Sequence, residues 1–238
     1  MKKVKLLIAA IMIAIISAAA LLAACLSKSE ARLTAARVIA GKGMMKLVES
    51  SMEERPKVAL TFDDGPSRKY TPELLDGLKE KGIHATFFLM GKNIEGNEEL
   101  VKRIQEEGHL IGNHTYNHVQ LNKISAALAK EEIEKTSNEI YKITGEYPTY
   151  LRPPFGAWRK DLELSVTMFP VMWDVDTLDW ESKNVTSVLH IVENNVEDGS
   201  IILMHDGYKT SVEAALKVVD MLTEEGYDFV TVDKLMVP

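Results

Sequence analysis

Val58-Ala59-Leu60-Thr61-Phe62 runs into Asp63-Asp64-Gly65-Pro66, and this junction decides how the chain is read. A short, nearly all-apolar run is a buried strand, and a turn built from two acids, a glycine and a proline ends it. Thr71 or Pro72 then opens a segment with Leu74, Leu75 and Leu78 at helical spacing, closed by Gly82. The same unit recurs. Further strands are predicted at 85–90, 110–112, 150–152, 171–173, 200–204 and 228–232. Helices are predicted at 98–107, 125–144, 187–195 and 212–224, with Ile133, Ile140 and Ile143 on one face of the longest. Repeated strand–helix units imply parallel strands with helices outside.

Seven strands fit either an open doubly wound sheet or a barrel, and periodicity does not separate the two. The polar side chains do. Asp63 and Asp64 follow the first strand, His114 and His118 the third, and Arg152 ends the fourth. Asp174 to Trp180 follow the fifth, and His205 and Asp206 the sixth. In a parallel barrel all strand C-termini open on one face, where active sites form. An open sheet would leave the ends of the first and sixth strands far apart, so a distorted (β/α)7 barrel is the expected α/β fold.

Upstream of this region the chain is a different material. Lys2, Lys3 and Lys5 open it, and from Leu6 to Ser27 no charge appears. A basic start followed by an apolar run is the layout of a secretory signal. The run also approaches the roughly 20 residues that span a bilayer. Leu22-Ala23-Ala24-Cys25 resembles a bacterial lipobox, with the chain's single cysteine where the run ends. Residues 1–27 therefore read as a signal peptide or an N-terminal membrane segment, with Cys25 lipidated or the segment left uncleaved. Both readings tether the protein to the membrane and place everything after Lys28 outside the cytoplasm. Residues 28–55 read as a tether and 56–238 as the folded domain. Lys plus Arg is 28 against 35 for Asp plus Glu, and a net charge of −7 argues against nucleic-acid binding. One cysteine excludes an internal disulfide and any multi-cysteine metal site.

The loop residues carry chemistry. Asp64, His114 and His118 make a three-ligand set, two histidines four apart on one side of a helical turn and a carboxylate from another loop. Two imidazoles and one oxygen suit zinc with positions left open for water and substrate. Asp63 and Asp64 are consecutive, so their side chains diverge if the strand continues, one toward a metal and one toward substrate as a base. The Arg152-Pro153-Pro154-Phe155-Gly156 loop is stiffened by its prolines. Arg152 is placed to pin a carboxylate such as Asp63, and a backbone N–H at Phe155 to face an oxyanion. His205 with Asp179 as partner has the character of a general acid, since a neighbouring carboxylate raises the pKa of an imidazole. Trp180 and Leu203 fit an apolar pocket the size of a methyl group. Trp158 and Trp173 read equally as core or as sugar-stacking surface, and His84, His109 and His190 as structural.

Taken in order, Thr61-Phe-Asp-Asp-Gly-Pro66, His114-Thr-Tyr-Asn-His118, Arg152-Pro-Pro-Phe-Gly156, Asp176-Thr-Leu-Asp-Trp180 and Leu203-Met-His205 resemble the motifs of the polysaccharide deacetylase family, the carbohydrate esterases of family 4 with a NodB-homology domain. The resemblance runs from about residue 56 to the C-terminus. It implies a distorted barrel and metal-dependent hydrolysis of acetyl groups on a polysaccharide. It further implies Asp64, His114 and His118 as ligands of Zn2+ or Co2+, Asp63 as catalytic base, His205 as general acid, Asp179 as its tuning partner and Arg152 as the group that holds the base. Trp180 and Leu203 match the pocket around the acetyl methyl. The interval between Gly156 and Val171 is short and contains Pro170, so the helix expected there is abbreviated. With an extracytoplasmic tether, the expected substrate is N-acetylglucosamine of peptidoglycan or a related glycan. Acetylxylan and chitin oligomers are the alternatives within the family, a noncatalytic glycan-binding lipoprotein the alternative outside it. A monomer is expected.

Overall fold

The structure is a computed structural model that describes residues 54–165 and 167–236, together with Ser17. The signal or anchor, Cys25 and almost all of the tether therefore lie outside the described residues. Among the described residues no helix is long and apolar enough to cross a membrane. From Arg55 onward the chain forms one compact unit.

Strand β1 (Lys57–Gly65) is central and every strand pairing is parallel. Around it lie β2 (Thr86–Leu89), β3 (Leu110–Asn113), β4 (Tyr150–Leu151), β5 (Phe169–Pro170), β6 (Val175–Asp176), β7 (Ile201–His205) and β8 (Asp228–Phe229). The order across the sheet is β5-β4-β3-β2-β1-β7-β6, with β8 added on the first residues of β1. The helices are α1 (Thr71–Lys81), α2 (Gly91–Ile94), α3 (Glu98–Glu106), α4 (Ala126–Thr144), α5 (Asp179–Ser182), α6 (Val185–Asn195), α7 (Lys209–Glu224) and α8 (Val232–Leu235). Gly82 and Gly145 end α1 and α4 in the left-handed conformation that a glycine adopts without steric cost, as their positions in the sequence predict.

Alternation along β1 sorts its two faces. Val58, Leu60 and Phe62 join Leu74, Leu75 and Leu78 of α1, Val188 and Val192 of α6 and the apolar face of α7 in the main core. Ala59, Thr61 and Asp63 point the other way, into the concave side of the sheet, where Ala59 packs with Phe88 and Val171. Along β7, Ile202 and Met204 enter the main core, while Leu203 and His205 face the cleft. The concave side is thus where alternation delivers polar groups.

Four expectations need correction. Among the described residues no pairing joins β5 to β6, so the barrel is a half-barrel with a seam rather than a closed cylinder. The strand expected at 171–173 is that seam: the carbonyls of Val171 and Met172 accept hydrogen bonds from the Arg152 guanidinium instead of from a neighbouring strand. The last strand stops at Phe229, and Val232 to Leu235 turn into α8, whose first N–H is taken by the Thr86 hydroxyl. The interval after Gly156, where an abbreviated helix is expected, contains no helix among its described residues.

Candidate active site

Thr61 and Asp63 project from β1 onto a fully buried Arg152, whose Nη1 donates to Thr61 Oγ1 at 2.6 Å and to Asp63 Oδ1 at 2.8 Å. The guanidinium carbon lies over the ring of Phe88, 4.3 Å from its centre. Asp63 and His205 are register partners on adjacent parallel strands, so the backbone sets base and acid candidates side by side. The other Asp63 oxygen, Oδ2, lies 3.6 Å from His114 Nε2.

Strict alternation would send Asp64 to the opposite face. It does not: β1 loses register with β2 between Asp63 and Gly65, and Asp64 takes a left-handed φ of 69°. The Asp64 carbonyl is held by Asn93 Nδ2 at 2.7 Å, and its Oδ1 lies 3.4 Å from His114 Nε2 and 3.6 Å from His118 Nε2. The two consecutive carboxylates therefore converge on one histidine rather than diverging.

The histidine pair also reaches its geometry by an unexpected route. Residues 114–120 form no helix. Asn113 Oδ1 accepts the Thr115 N–H at 2.7 Å, Thr115 Oγ1 accepts the His118 N–H at 3.1 Å, and Thr115 and His118 both take positive φ. Such side-chain-to-backbone bonds offer the chain an alternative to a helical turn. Glu132 of α4 fixes the middle of the loop by accepting from the Asn117 backbone and amide, each at 2.7 Å. The imidazole centres end 4.9 Å apart, and Phe155 lies edge-on to His118 at 4.7 Å.

The donor set fits a cation. His114 Nδ1 faces the Arg152 carbonyl at 2.7 Å, and a carbonyl only accepts, so Nδ1 carries the hydrogen and Nε2 presents a lone pair. That lone pair faces two carboxylate oxygens, an arrangement a positive ion resolves. Asp64 Oδ1 is buried without a hydrogen-bond partner. One ligand atom each from Asp64, His114 and His118 falls within 4.8 Å of the others. Burial alone would raise the Asp64 pKa, but the neighbouring imidazoles of His114, His118 and His205 outweigh it and bring it down to about 2. Burial and the neighbouring His114 lower the pKa of His118, which keeps it neutral and able to ligate.

Asp179, at the start of α5, is buried and grips His205 twice. Its Oδ1 accepts His205 Nδ1–H at 2.9 Å and its Oδ2 the backbone N–H at 3.0 Å. Thr177 Oγ1 donates to the Leu203 carbonyl at 2.9 Å and lies 3.3 Å from the same carboxylate. Burial disfavours the charged imidazolium, yet Asp179 outweighs it and the His205 pKa is raised. The pKa of Asp179 is lowered by the reciprocal contacts, against its burial. Nε2 of His205 is left as the nitrogen available to the cleft. That cleft is lined by Asp63, Asp64, His114, His118 and His205, with Pro153, Phe155, Trp173, Trp180, Leu203 and Tyr208 as its less polar wall.

A family model described as polysaccharide deacetylase matches residues 51–170. The chain belongs to the polysaccharide deacetylase family. It is similar to the peptidoglycan-N-acetylglucosamine deacetylase PgdA of Listeria monocytogenes, 42% identical over 75% of this chain and 38% of that protein. It is also similar to the peptidoglycan-N-acetylglucosamine deacetylase of Bacillus cereus, 38% identical over 76% of this chain and 68% of that protein. The solved structure of the peptidoglycan deacetylase PdaC from Bacillus subtilis superposes with a TM-score of 0.73 at 40% identity, covering 76% of this chain and 90% of that one. The chain thus spans about two fifths of the length of the Listeria relative.

Of the ten site residues named from the sequence, eight line the cleft, and the other two, Arg152 and Asp179, hold the side chains of Asp63 and His205 that do. Trp173 lines the cleft, whereas Trp158 packs on a small core cluster with Leu121, Ile133 and Leu151. Of the other histidines, His109 is buried and accepts the Ala85 N–H, and His190 contacts Asn194 on its own helix. Sequence reading passed over Thr61, Asn93, Asn113, Glu132, Thr177 and Tyr208. Asn113 borders His114 and Thr177 lies two before Asp179, so neighbourhood was the available signal for those two. Nothing in the sequence ties Asn93 or Glu132 to the site.

Proposed function

We propose that this chain hydrolyses N-acetyl groups on an extracytoplasmic polysaccharide, N-acetylglucosamine of peptidoglycan or a related glycan, and releases acetate. The observation that carries the reading is the pairing of Asp63 and His205 in register beside the Asp64–His114–His118 set. Those three residues would hold a divalent ion, which we read as Zn2+ with Co2+ as a working substitute. Such an ion supplies Lewis-acid polarisation of the acetyl carbonyl and acidifies water. Asp63 takes the proton of the attacking water through Oδ2, because Oδ1 is committed to Arg152. His205 gives its Nε2 proton to the departing amine, and Asp179 holds the ring by Nδ1 and favours its charged form. The Phe155 backbone N–H is the oxyanion donor we assign, and Trp180 and Leu203 surround the methyl group.

Residues 56–238 are on this reading the catalytic domain of a monomer, carried on the 28–55 tether by the 1–27 segment at the outer face of the membrane. The names of the Listeria and Bacillus relatives support the substrate. Acetate and free amine should appear when the zinc-loaded full chain meets purified cell-wall glycan. Acetate from acetylxylan alone would move the substrate, and release undiminished by Asp63→Asn would remove the mechanism.

A further inference from the structure

Asp206 has no task in the reaction above, and its placement is costly for a carboxylate. It follows His205 at the end of β7 and is wholly buried. Its Oδ2 accepts a hydrogen bond from the hydroxyl of Thr71, the first residue of α1. The Thr71 oxygen in turn accepts the Ser67 backbone N–H at 2.7 Å. The same carboxylate packs on Gly65, where a Cβ would come within 2.6 Å of Oδ2. Its Oδ1 has no hydrogen-bond partner. A buried carboxylate with one oxygen unsatisfied destabilises a fold relative to a neutral residue of the same size. Burial pushes the Asp206 pKa up to about 6, the Thr71 hydrogen bond opposing it.

These contacts join two loops of the site. Gly65 follows Asp64, which stands at a left-handed φ where β1 has lost register with β2. On one side, Asn93 holds the Asp64 carbonyl and the Met90 N–H holds the Gly65 carbonyl at 3.0 Å. On the other side stands Asp206, one residue beyond His205. We propose that Asp206 is a positioning residue that clamps the 65–71 turn to the end of β7 and so sets where the Asp64 carboxylate stands relative to His114, His118 and His205. The inference rests on the reading of Asp64 as a metal ligand, and it extends that reading to a residue that touches neither metal nor substrate.

Zinc affinity tests it on the metal-stripped full chain, by competition with a chromogenic chelator, with the unfolding midpoint of each variant measured alongside. Asp206→Ala removes the clamp and should raise the zinc Kd about tenfold or more, the usual effect of losing a group that orients a ligand. Thr71→Val deletes the hydroxyl at nearly constant volume and should raise it about threefold. Asp206→Asn keeps the size and an oxygen for Thr71, and should stay within about threefold of wild type. The double variant Thr71→Val/Asp206→Ala should be no worse than Asp206→Ala, because both changes cut one contact. A folded Asp206→Ala with unchanged zinc Kd and a lowered unfolding midpoint overturns the proposal in favour of a scaffold role. Asp206→Asn losing as much as Asp206→Ala while Thr71→Val loses nothing also overturns it, since charge and not the clamp would then be acting. If Asp206→Ala does not fold, Thr71→Val decides: a weaker affinity supports the clamp and an unchanged one overturns it. A wild-type chain without measurable zinc affinity overturns the ligand reading itself, a result distinct from wild-type affinity that the variants leave untouched.

Discussion

Asp179→Asn probes the acid half of the site with almost no change in shape. In the wild type both carboxylate oxygens accept, one from His205 Nδ1–H at 2.9 Å and one from the His205 backbone N–H at 3.0 Å. An asparagine has one acceptor oxygen and one NH2, so one of those two N–H groups must face a donor. If the oxygen stays on Nδ1, the backbone N–H is orphaned. If the amide flips, Nδ1 can keep a bond only by giving up its hydrogen, which moves the proton to Nε2 and leaves no stabilised imidazolium. Hydrogen bonds to charged groups contribute about 1.5–3 kcal/mol, and 1.36 kcal/mol is one pKa unit, so the His205 pKa should fall by about 1–2 units.

The sign of the pH effect follows from the role of His205. A general acid must be protonated, so kcat declines as pH rises through its pKa, and a carboxylate that raises that pKa extends activity toward alkaline pH. Asp179→Asn should therefore shift the alkaline limb of the kcat–pH profile about 1–2 units toward acid and lower kcat on that limb by about 10–10². The assay is acetate release by the zinc-loaded protein from an N-acetylglucosamine oligomer at saturating substrate across the pH range. An alkaline limb that stays in place, with kcat within a factor of about two of wild type, would refute the assignment of His205 as the acid held by Asp179.

Asp63→Asn should lower kcat by about 10²–10⁴ while leaving the zinc Kd within about tenfold, because Asp63 is the base and Asp64 the ligand; kinetics and chelator competition separate the two. Stripping the metal should abolish acetate release, and zinc at 100 times its Kd should restore activity and raise the unfolding free energy by about 2.7 kcal/mol in denaturant titration. Arg152→Met leaves the buried Asp63 carboxylate without its partner and should cost about 3–5 kcal/mol in the same titration. Leu203→Ala enlarges the wall where the acetyl methyl is placed, so the ratio of kcat/KM for an N-propionyl over an N-acetyl glycan should rise about tenfold.

Much of the architecture was legible because β1, α1 and α4 obey local rules. Alternation in β1 assigns Val58, Leu60 and Phe62 to the helices and Thr61 and Asp63 to the concave side; glycines stop α1 and α4 where they stand. The ligand trio was legible as residue types, but its geometry was not. A four-residue histidine spacing suggests a helical turn, whereas the loop is shaped by Asn113, Thr115 and Glu132, two of them polar side chains next to the histidine and one 14 residues beyond His118. Asp63 and Asp64 read as diverging because strand alternation is the default, and a single left-handed residue cancels it. The fifth strand was misplaced for a related reason. Val171-Met172-Trp173 is apolar enough for a strand, but its carbonyls are used by a side chain from β4's end, and no local pattern reports such a long-range partner.

That misplaced strand and the placement of the base have one cause. β5 and β6 stand at opposite ends of the sheet path, yet only residues 171–174 separate them in the chain, a distance of at most about 18 Å. The sheet must curl until its ends nearly meet, and the segment crossing the gap presents carbonyls inward. Arg152 enters there, using Val171 O at 3.4 Å, Met172 O at 3.1 Å and Thr61 Oγ1 at 2.6 Å to satisfy a guanidinium that is wholly removed from water. Its remaining short contact is Asp63 Oδ1. Had β5 and β6 closed the barrel by pairing, those carbonyls would be spent on strand hydrogen bonds, and a buried arginine would lack the acceptors that offset its desolvation. The open seam is therefore part of the active site: it anchors the cation that leaves one oxygen of Asp63 free to face the water it deprotonates.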